Sequence, residues 1–219
     1  MVFSIITIFP KIFDSYISES LFKRAIEKGI LKINIVNLRV FTKDKHRKVD
    51  DSPFGGGPGM VLKPEPIISA VNSILKVRPK LKKRVVLFST RGKVFNSNIA
   101  KRLSRYDELI FICGRYEGVD ERIAKYVVDE EISVGDFVLS GGELPALTVM
   151  EAVSRFKHGF LGKFESLEEI KGSYPVYTRP ALITMKNGKK KVLAKVPKVL
   201  LQGNHKNIDI WRSNFKEKK

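Results

Sequence analysis

Cys113 is the only thiol in this 219-residue chain. One cysteine excludes an intrachain disulfide framework and any multi-cysteine metal site. It closes an apolar run, so it is expected to be a small buried hydrophobe rather than a nucleophile. No apolar run is long enough to span a membrane, and the N-terminus lacks a basic region followed by a small-residue cleavage site. The expectation is a cytosolic protein with no membrane partner. Internal repeats are absent. The glycine-rich segments have neither the Walker spacing with its terminal Lys-Ser/Thr nor a Rossmann fingerprint, so neither an NTP cradle nor a dinucleotide site is indicated. Acidic residues are also scarce: 23 Asp and Glu stand against 41 Lys and Arg, a net charge of +18. Such a surplus suits a polyanion, because each neutralised phosphate releases counterions. A lysine-rich surface without a partner would have the same composition.

Hydrophobic residues make up 43% of the chain, enough for a sizeable core. Apolar runs at 2–9, 31–38, 84–89, 108–114 and 126–128 predict strands. Between them, Ile12, Phe13, Tyr16, Ile17, Leu21, Ala25 and Ile26 fall on one helical stripe, and Ile67, Ile68, Val71, Ile74 and Leu75 on another. Asn96 or Ser97 is placed to cap a helix carrying Ile99, Ala100 and Leu103, and a further helix is expected over 144–156. Strands alternating with helices predict an α/β fold with a mostly parallel sheet. Composition changes after Leu161. This predicts a domain over 1–161, a polar linker over 162–173 and a small, helical, basic domain over 174–219.

Three glycine-bearing segments carry the chemistry. The first is Val134-Gly135-Asp136-Phe137-Val138-Leu139-Ser140-Gly141-Gly142-Glu143-Leu144-Pro145, a strand-like apolar core with a Gly-Gly turn and a proline that can open a helix. The second is Cys113-Gly114-Arg115-Tyr116-Glu117-Gly118-Val119-Asp120-Glu121-Arg122, and the third runs from His46 through Asp50, Asp51 and Gly55-Gly56-Gly57-Pro58-Gly59 to Met60. A lone glycine-rich loop is usually only a turn. Together these three resemble bacterial tRNA (guanine-37 N1)-methyltransferases, of the SPOUT class of knotted methyltransferases.

The resemblance implies a deep C-terminal trefoil knot in the α/β domain, a feature that periodicity could not reveal. It also implies S-adenosylmethionine bent into a pocket of three loops, formed by Leu87, Phe88, Ser89, Gly114, Tyr116, Glu117, Val134, Gly135, Asp136, Phe137, Val138, Leu139, Gly141 and Gly142. Glu117 and Asp136 would stand near the sulfonium, although either could be a helix-end or salt-bridge residue, as Asp120 and Glu121 are expected to be. His46, Asp50, Asp51 and Gly59 would hold the target guanine, the two aspartates accepting from its N1–H and amino group. Arg155 would stabilise charge developing on guanine O6; an ordinary helix-surface arginine is the competing reading. The resemblance further implies a homodimer, with magnesium left open and no protein metal site. The basic stretch 186–198 and the Trp211 helix would grip the anticodon arm, with Trp211 itself expected to anchor the small domain's core.

The chain departs from the family pattern in places. The family's proton-accepting aspartate falls at Ser173, a poor base, although the position would still touch substrate. Glu169 or Glu168, with Glu165 third, could assume the role. Transfer could instead proceed more slowly through Arg155 with a water or metal, or the protein could be a SAM- and RNA-binding module of weak or no activity. A SPOUT enzyme acting on ribosomal RNA is a third possibility. Thr90-Arg91 replaces a frequent Pro-Gln pair, which would loosen one wall of the pocket. The chain also stops soon after Trp211, where relatives generally continue, so either its RNA-binding domain is short or it belongs to a longer polypeptide.

Overall fold

The computed structural model describes residues 1–162, 172–187 and 190–215. The chain divides into two compact units, Met1–Phe164 and Glu165–Lys219.

The first unit is built on a five-stranded parallel sheet in the order β2-β1-β6-β5-β7. Its strands are β1 (Val2–Thr7), β2 (Lys32–Asn37), β5 (Lys83–Val94), β6 (Glu108–Ile112) and β7 (Glu130–Ser133). A separate antiparallel pair is formed by β3 (Asp50–Asp51) and β4 (Val61–Leu62). The helices are α1 (Asp14–Ile17), α2 (Ser20–Glu27), α3 (Pro64–Lys76), α4 (Ser97–Leu103), α5 (Glu121–Tyr126) and α6 (Glu143–Ser154).

A sheet covered on both faces needs strands that are apolar at successive positions, and the central strands are. Phe3, Ile5, Val86, Phe88, Leu109, Phe111 and Cys113 enter one core with α2, α4 and α6. The alternate residues Ile6, Val85, Leu87, Ile110 and Ile112 enter the other core with α3 and α5. Phe88 meets Phe111 edge to face at 5.2 Å. Burying each such ring contributes about 1.5–3 kcal/mol. Asn96 is the cap of α4, its Oδ1 accepting from the Ile99 amide at 3.0 Å.

The run 126–128 is not a strand; it ends α5 and turns. The strand lies at Glu130–Ser133, where two glutamates mask the apolar signal. Glu130 is bound by Arg84 at 3.0 Å and Arg102 at 2.5 Å. Burial alone would raise its carboxyl, but the two guanidiniums outweigh burial and hold it below the ordinary range.

At the opposite end of the sheet from the strand C-termini, Glu108 is fully buried. Its Oε1 accepts from the Ser4 hydroxyl at 2.6 Å and from Arg78 at 3.3 Å. Lys83 lies 3.5 Å from Oε2 and donates to the last carbonyls of α3.

In the second unit β8 (Leu182–Asn187) and β9 (Lys190–Lys195) form an antiparallel hairpin, followed by α7 (Lys198–Leu201) and α8 (His205–Ser213). The small unit is therefore not helical alone. Its short apolar run Val192-Leu193-Ala194 pairs with Met185, Thr184 and Ile183. Trp211 packs against Phe215 at 4.9 Å and Tyr177 at 6.3 Å. Among the described residues no helix is long and apolar enough to cross a membrane.

Candidate functional site

Neighbouring strands β5 and β6 send their chains to opposite faces of the sheet: β5 into α4, β6 into α5. Such a switch point opens a crevice at the strand C-termini, and a cleft of ≈ 470 Å³ lies there. Its volume is in the range of a site for a nucleoside-sized ligand.

Three segments wall the cleft. Leu87, Phe88 and Ser89 lie midway along β5, where its pairing with β7 shifts register; Gly114, Tyr116 and Glu117 follow β6; Val134, Gly135, Phe137, Val138, Leu139, Gly141 and Gly142 follow β7. Asp136 is exposed and, unlike its two neighbours, does not line the cleft. The loop after β7 also differs from the strand-like core that its sequence predicts. It pairs only through an isolated bridge, Arg115 to Gly141, and leaves Phe137, Val138 and Leu139 exposed. These residues form the cleft's apolar wall instead of a ladder.

The cleft is built for close backbone approach at Gly142, whose amide donates to the Gly114 carbonyl at 2.9 Å. A Cβ there would stand 2.7 Å from the Cys113 Cα, against backbone that cannot rotate away. Gly142→Val should weaken S-adenosylhomocysteine binding by about tenfold to a hundredfold, from an overpacking cost of about 1–3 kcal/mol. Calorimetric titration checks this, and wild-type affinity would mean the loops yield there.

Glu143 and Arg115 hold these loops together, and sequence reasoning missed both roles. Glu143 is buried at the first position of α6. Its Oε1 accepts from the Thr7 hydroxyl at 2.7 Å and its Oε2 from Arg115 Nε at 2.9 Å. Arg115 also donates to the Ser140 carbonyl at 3.3 Å and lies over the Phe9 ring at 4.7 Å. The available signal was a lone acid heading an apolar helix. Cys113, beside this pair, is buried; burial first, then the Glu143 charge, pushes its thiol well up. It is therefore a poor nucleophile.

At the cleft's α5 side, β5 makes an excursion through residues 89–92, so that Ile132 of β7 pairs with both Phe88 and Lys93. Arg91 on this excursion pairs with Glu121 at 2.6 Å. The hydrogen bond and charge of Glu121, with a further contribution from Glu131, hold Arg91 above its ordinary pKa. Thr90-Arg91 thus carries an exposed ion pair across this wall.

The segment from His46 to Met60 is joined to the same cleft. β4 pairs with the loop after β6: the Leu62 amide donates to Gly118 at 2.9 Å and the Glu117 amide to Met60 at 3.0 Å. Gly59 abuts the Glu117 side chain so closely that a Cβ would overlap it. Asp50 is half-buried, while His46, Asp51 and Gly59 are exposed.

Arg155 is not on the cleft. It caps the C-terminus of α6, whose N-cap Gly142 lies at the cleft, about 20 Å away along the axis. It lies 3.9 Å from Glu151, one turn back on the same helix. Ser173 is exposed in the second unit. Glu165, Glu168 and Glu169 lie outside the described residues. Among the described residues no group of three or more His, Cys, Asp or Glu is arranged to hold a metal.

A parallel α/β sheet with a glycine-walled crevice at its switch point defines an α/β protein of the nucleotide-binding architecture. Comparison with known proteins makes this specific: the model of the tRNA (Guanine-1)-methyltransferase TrmD family matches residues 1–219, and the chain belongs to that family. It is 48% identical over 217 residues to the tRNA (guanine-N(1)-)-methyltransferase of Clostridioides difficile, covering 97% of this chain and 90% of the relative. It is 46% identical over 217 residues to that of Carboxydothermus hydrogenoformans, covering 97% and 81%. Among solved structures it resembles the tRNA (m1G37) methyltransferase of Aquifex aeolicus at 43% identity and a TM-score of 0.78, covering 96% of this chain and 87% of that one.

Proposed function

We propose that this protein transfers a methyl group from S-adenosylmethionine to N1 of guanosine 37 in tRNA, beside the anticodon. The observation that carries the reading is the cleft: three segments converge at the switch point, with Gly142 leaving no room for a side chain. The residues fit the cofactor. Phe137, Val138 and Leu139 offer an apolar wall for a purine, and Glu117 offers a carboxylate for a sulfonium. When bound, S-adenosylmethionine supplies a methyl group on a sulfonium that departs as a neutral thioether. The protein holds guanine N1 in line, with His46, Asp50, Asp51 and Gly59 facing the base. Its N1 proton passes to an acceptor on the protein as the N–C bond forms.

The knot belongs to the same reading. It is supported by the chain's return from β7, at the sheet edge, to pack α6 against β1 and α4. A homodimer is supported by the position of Arg155, a helix length from its own cleft, which lets it serve a partner's. The tRNA partner is supported by the net charge of +18, and the protein would work in the cytoplasm beside tRNA.

With serine at 173, the proton acceptor is assigned to Glu169 or Glu168. Replacing the acting one by glutamine should lower single-turnover methyl transfer by about a hundredfold. Unchanged rates in both variants would remove both.

The reading is tested by incubating radiolabelled S-adenosylmethionine with transcripts bearing G37 or A37. Label confined to G37 supports it. Binding without label would leave a non-catalytic module, and label in ribosomal RNA alone another SPOUT activity. The comparisons give no support to the non-catalytic alternative, since the relatives named above carry methyltransferase names. A parallel assay with chelator reads magnesium dependence.

A further inference from the structure

Phe54 is fully exposed, the most exposed of the large hydrophobic side chains described. It stands on the segment between β3 and β4, ahead of Gly55, Gly56 and Gly57, whose φ values of +85°, +78° and +122° lie where side chains are disfavoured. Phe54 therefore has no side-chain neighbour on that stretch to cover it. The loop itself is fastened at its base. Asp50 pairs with Leu62 and Asp51 with Val61, the Lys63 amide donates to Val49 at 2.8 Å, and Glu117 and Gly118 of the cleft hold Met60 and Leu62. An aromatic ring is thus held in solvent on a loop anchored to the cleft wall.

The approach to this loop is basic. Lys43, Lys45, His46, Arg47 and Lys48 are exposed. They are ordered by Asp44, whose carboxylate accepts from the His46 and Lys48 amides at 3.0–3.2 Å. Those backbone hydrogen bonds, Lys48's first, hold its carboxyl below the ordinary range. Cations beside an uncovered ring match a single-stranded nucleic acid, whose phosphates take the charges while a base takes the ring face.

We propose that Phe54 is a substrate-positioning residue that stacks on an unpaired base next to the target guanine, fixing the register of the RNA over the cleft. The proposal rests on the tRNA reading above and adds a contact to it.

The test compares wild type with Phe54→Ala, Phe54→Leu and Phe54→Tyr, on G37 transcripts that are intact or abasic at the nucleotide 5′ or 3′ of the target. Phe54→Ala should raise KM for tRNA about tenfold, in line with the loss of one base–aromatic stack, with kcat nearly unchanged. Phe54→Leu should behave like alanine, because it has no ring face, and Phe54→Tyr like wild type. Thermal midpoint and S-adenosylhomocysteine affinity should not move. One of the two abasic transcripts should cost wild type about as much as Phe54→Ala does, and cost Phe54→Ala little more. Unchanged KM in Phe54→Ala, wild-type behaviour of Phe54→Leu, or losses that add on both abasic transcripts would overturn the proposal. So would dissociation to monomer in Phe54→Ala, which would make the ring a subunit contact. If wild type labels no G37 transcript, the tRNA reading fails first, and that failure is visible without any variant.

Discussion

Replacing Glu143 by leucine should destabilise the protein by about 3–5 kcal/mol and abolish measurable binding of S-adenosylhomocysteine. The carboxylate is 1% exposed and satisfies two donors from different segments, Thr7 on β1 and Arg115 on the loop after β6. Leucine removes both acceptors and leaves the Arg115 guanidinium, 19% exposed, without its counter-charge. Breaking a buried pair from one side costs this much because the remaining charge stays desolvated. Urea denaturation measures the stability. Glu143→Gln keeps one acceptor oxygen for Arg115 and turns an NH2 toward Thr7, whose hydroxyl can rotate to accept, so its loss should be smaller. The double variant Glu143→Leu with Arg115→Leu should recover part of the stability lost in Glu143→Leu, since no charge is then stranded. It should not recover binding, because Arg115 also fastens the Ser140 carbonyl and therefore the Gly141-Gly142 turn. Wild-type stability in Glu143→Leu would show that the pair is incidental.

Much of this frame could be read from the sequence because the central strands bury both faces. Runs such as Leu109–Cys113, beyond the single buried acid Glu108, have no polar position to blur them, and their stable setting is a sheet sandwiched by helices. The edge strand β7 was hidden by its two glutamates, of which Glu130 is neutralised by Arg84 and Arg102, partners 46 and 28 residues away. The loop after β7 misled in the opposite direction. Val134, Phe137, Val138 and Leu139 have strand-like composition, yet they lack a ladder partner and are apolar because they wall the cleft.

The cleft's glycines were legible as a motif, and all predicted cofactor residues except Asp136 line it. The Glu143–Arg115 pair was not legible: an acid heading an apolar helix hints at burial, but nothing local marks Arg115, 28 residues away, as its partner. The lysine-rich hairpin was obscured by composition: Lys190, Lys191 and Lys195 flank an apolar run, Val192-Leu193-Ala194, too short to display a strand period.

Replacing Arg155 by alanine should lower kcat by about a hundredfold to a thousandfold, the usual loss when a donor to a developing oxyanion is removed. Folding should change little, because the side chain is 36% exposed and its ion pair with Glu151, at 3.9 Å, is a surface one. Arg155→Lys should restore part of the rate, keeping charge but not the planar fork. The position on α6 makes a sharper test possible. If Arg155 serves the cleft of a second copy, a heterodimer of Arg155→Ala and Gly142→Val protomers contains one intact site: the cleft of the first with the arginine of the second. Random mixing puts half the dimers in that state, each with one of two sites working, so about a quarter of wild-type activity should return. The assay is run at a cofactor concentration that the Gly142→Val cleft does not hold. Each variant alone should stay near background. No recovery on mixing, with heterodimers verified by mass, would place Arg155 outside the partner's site. It would also remove the principal support for an active site shared between two chains.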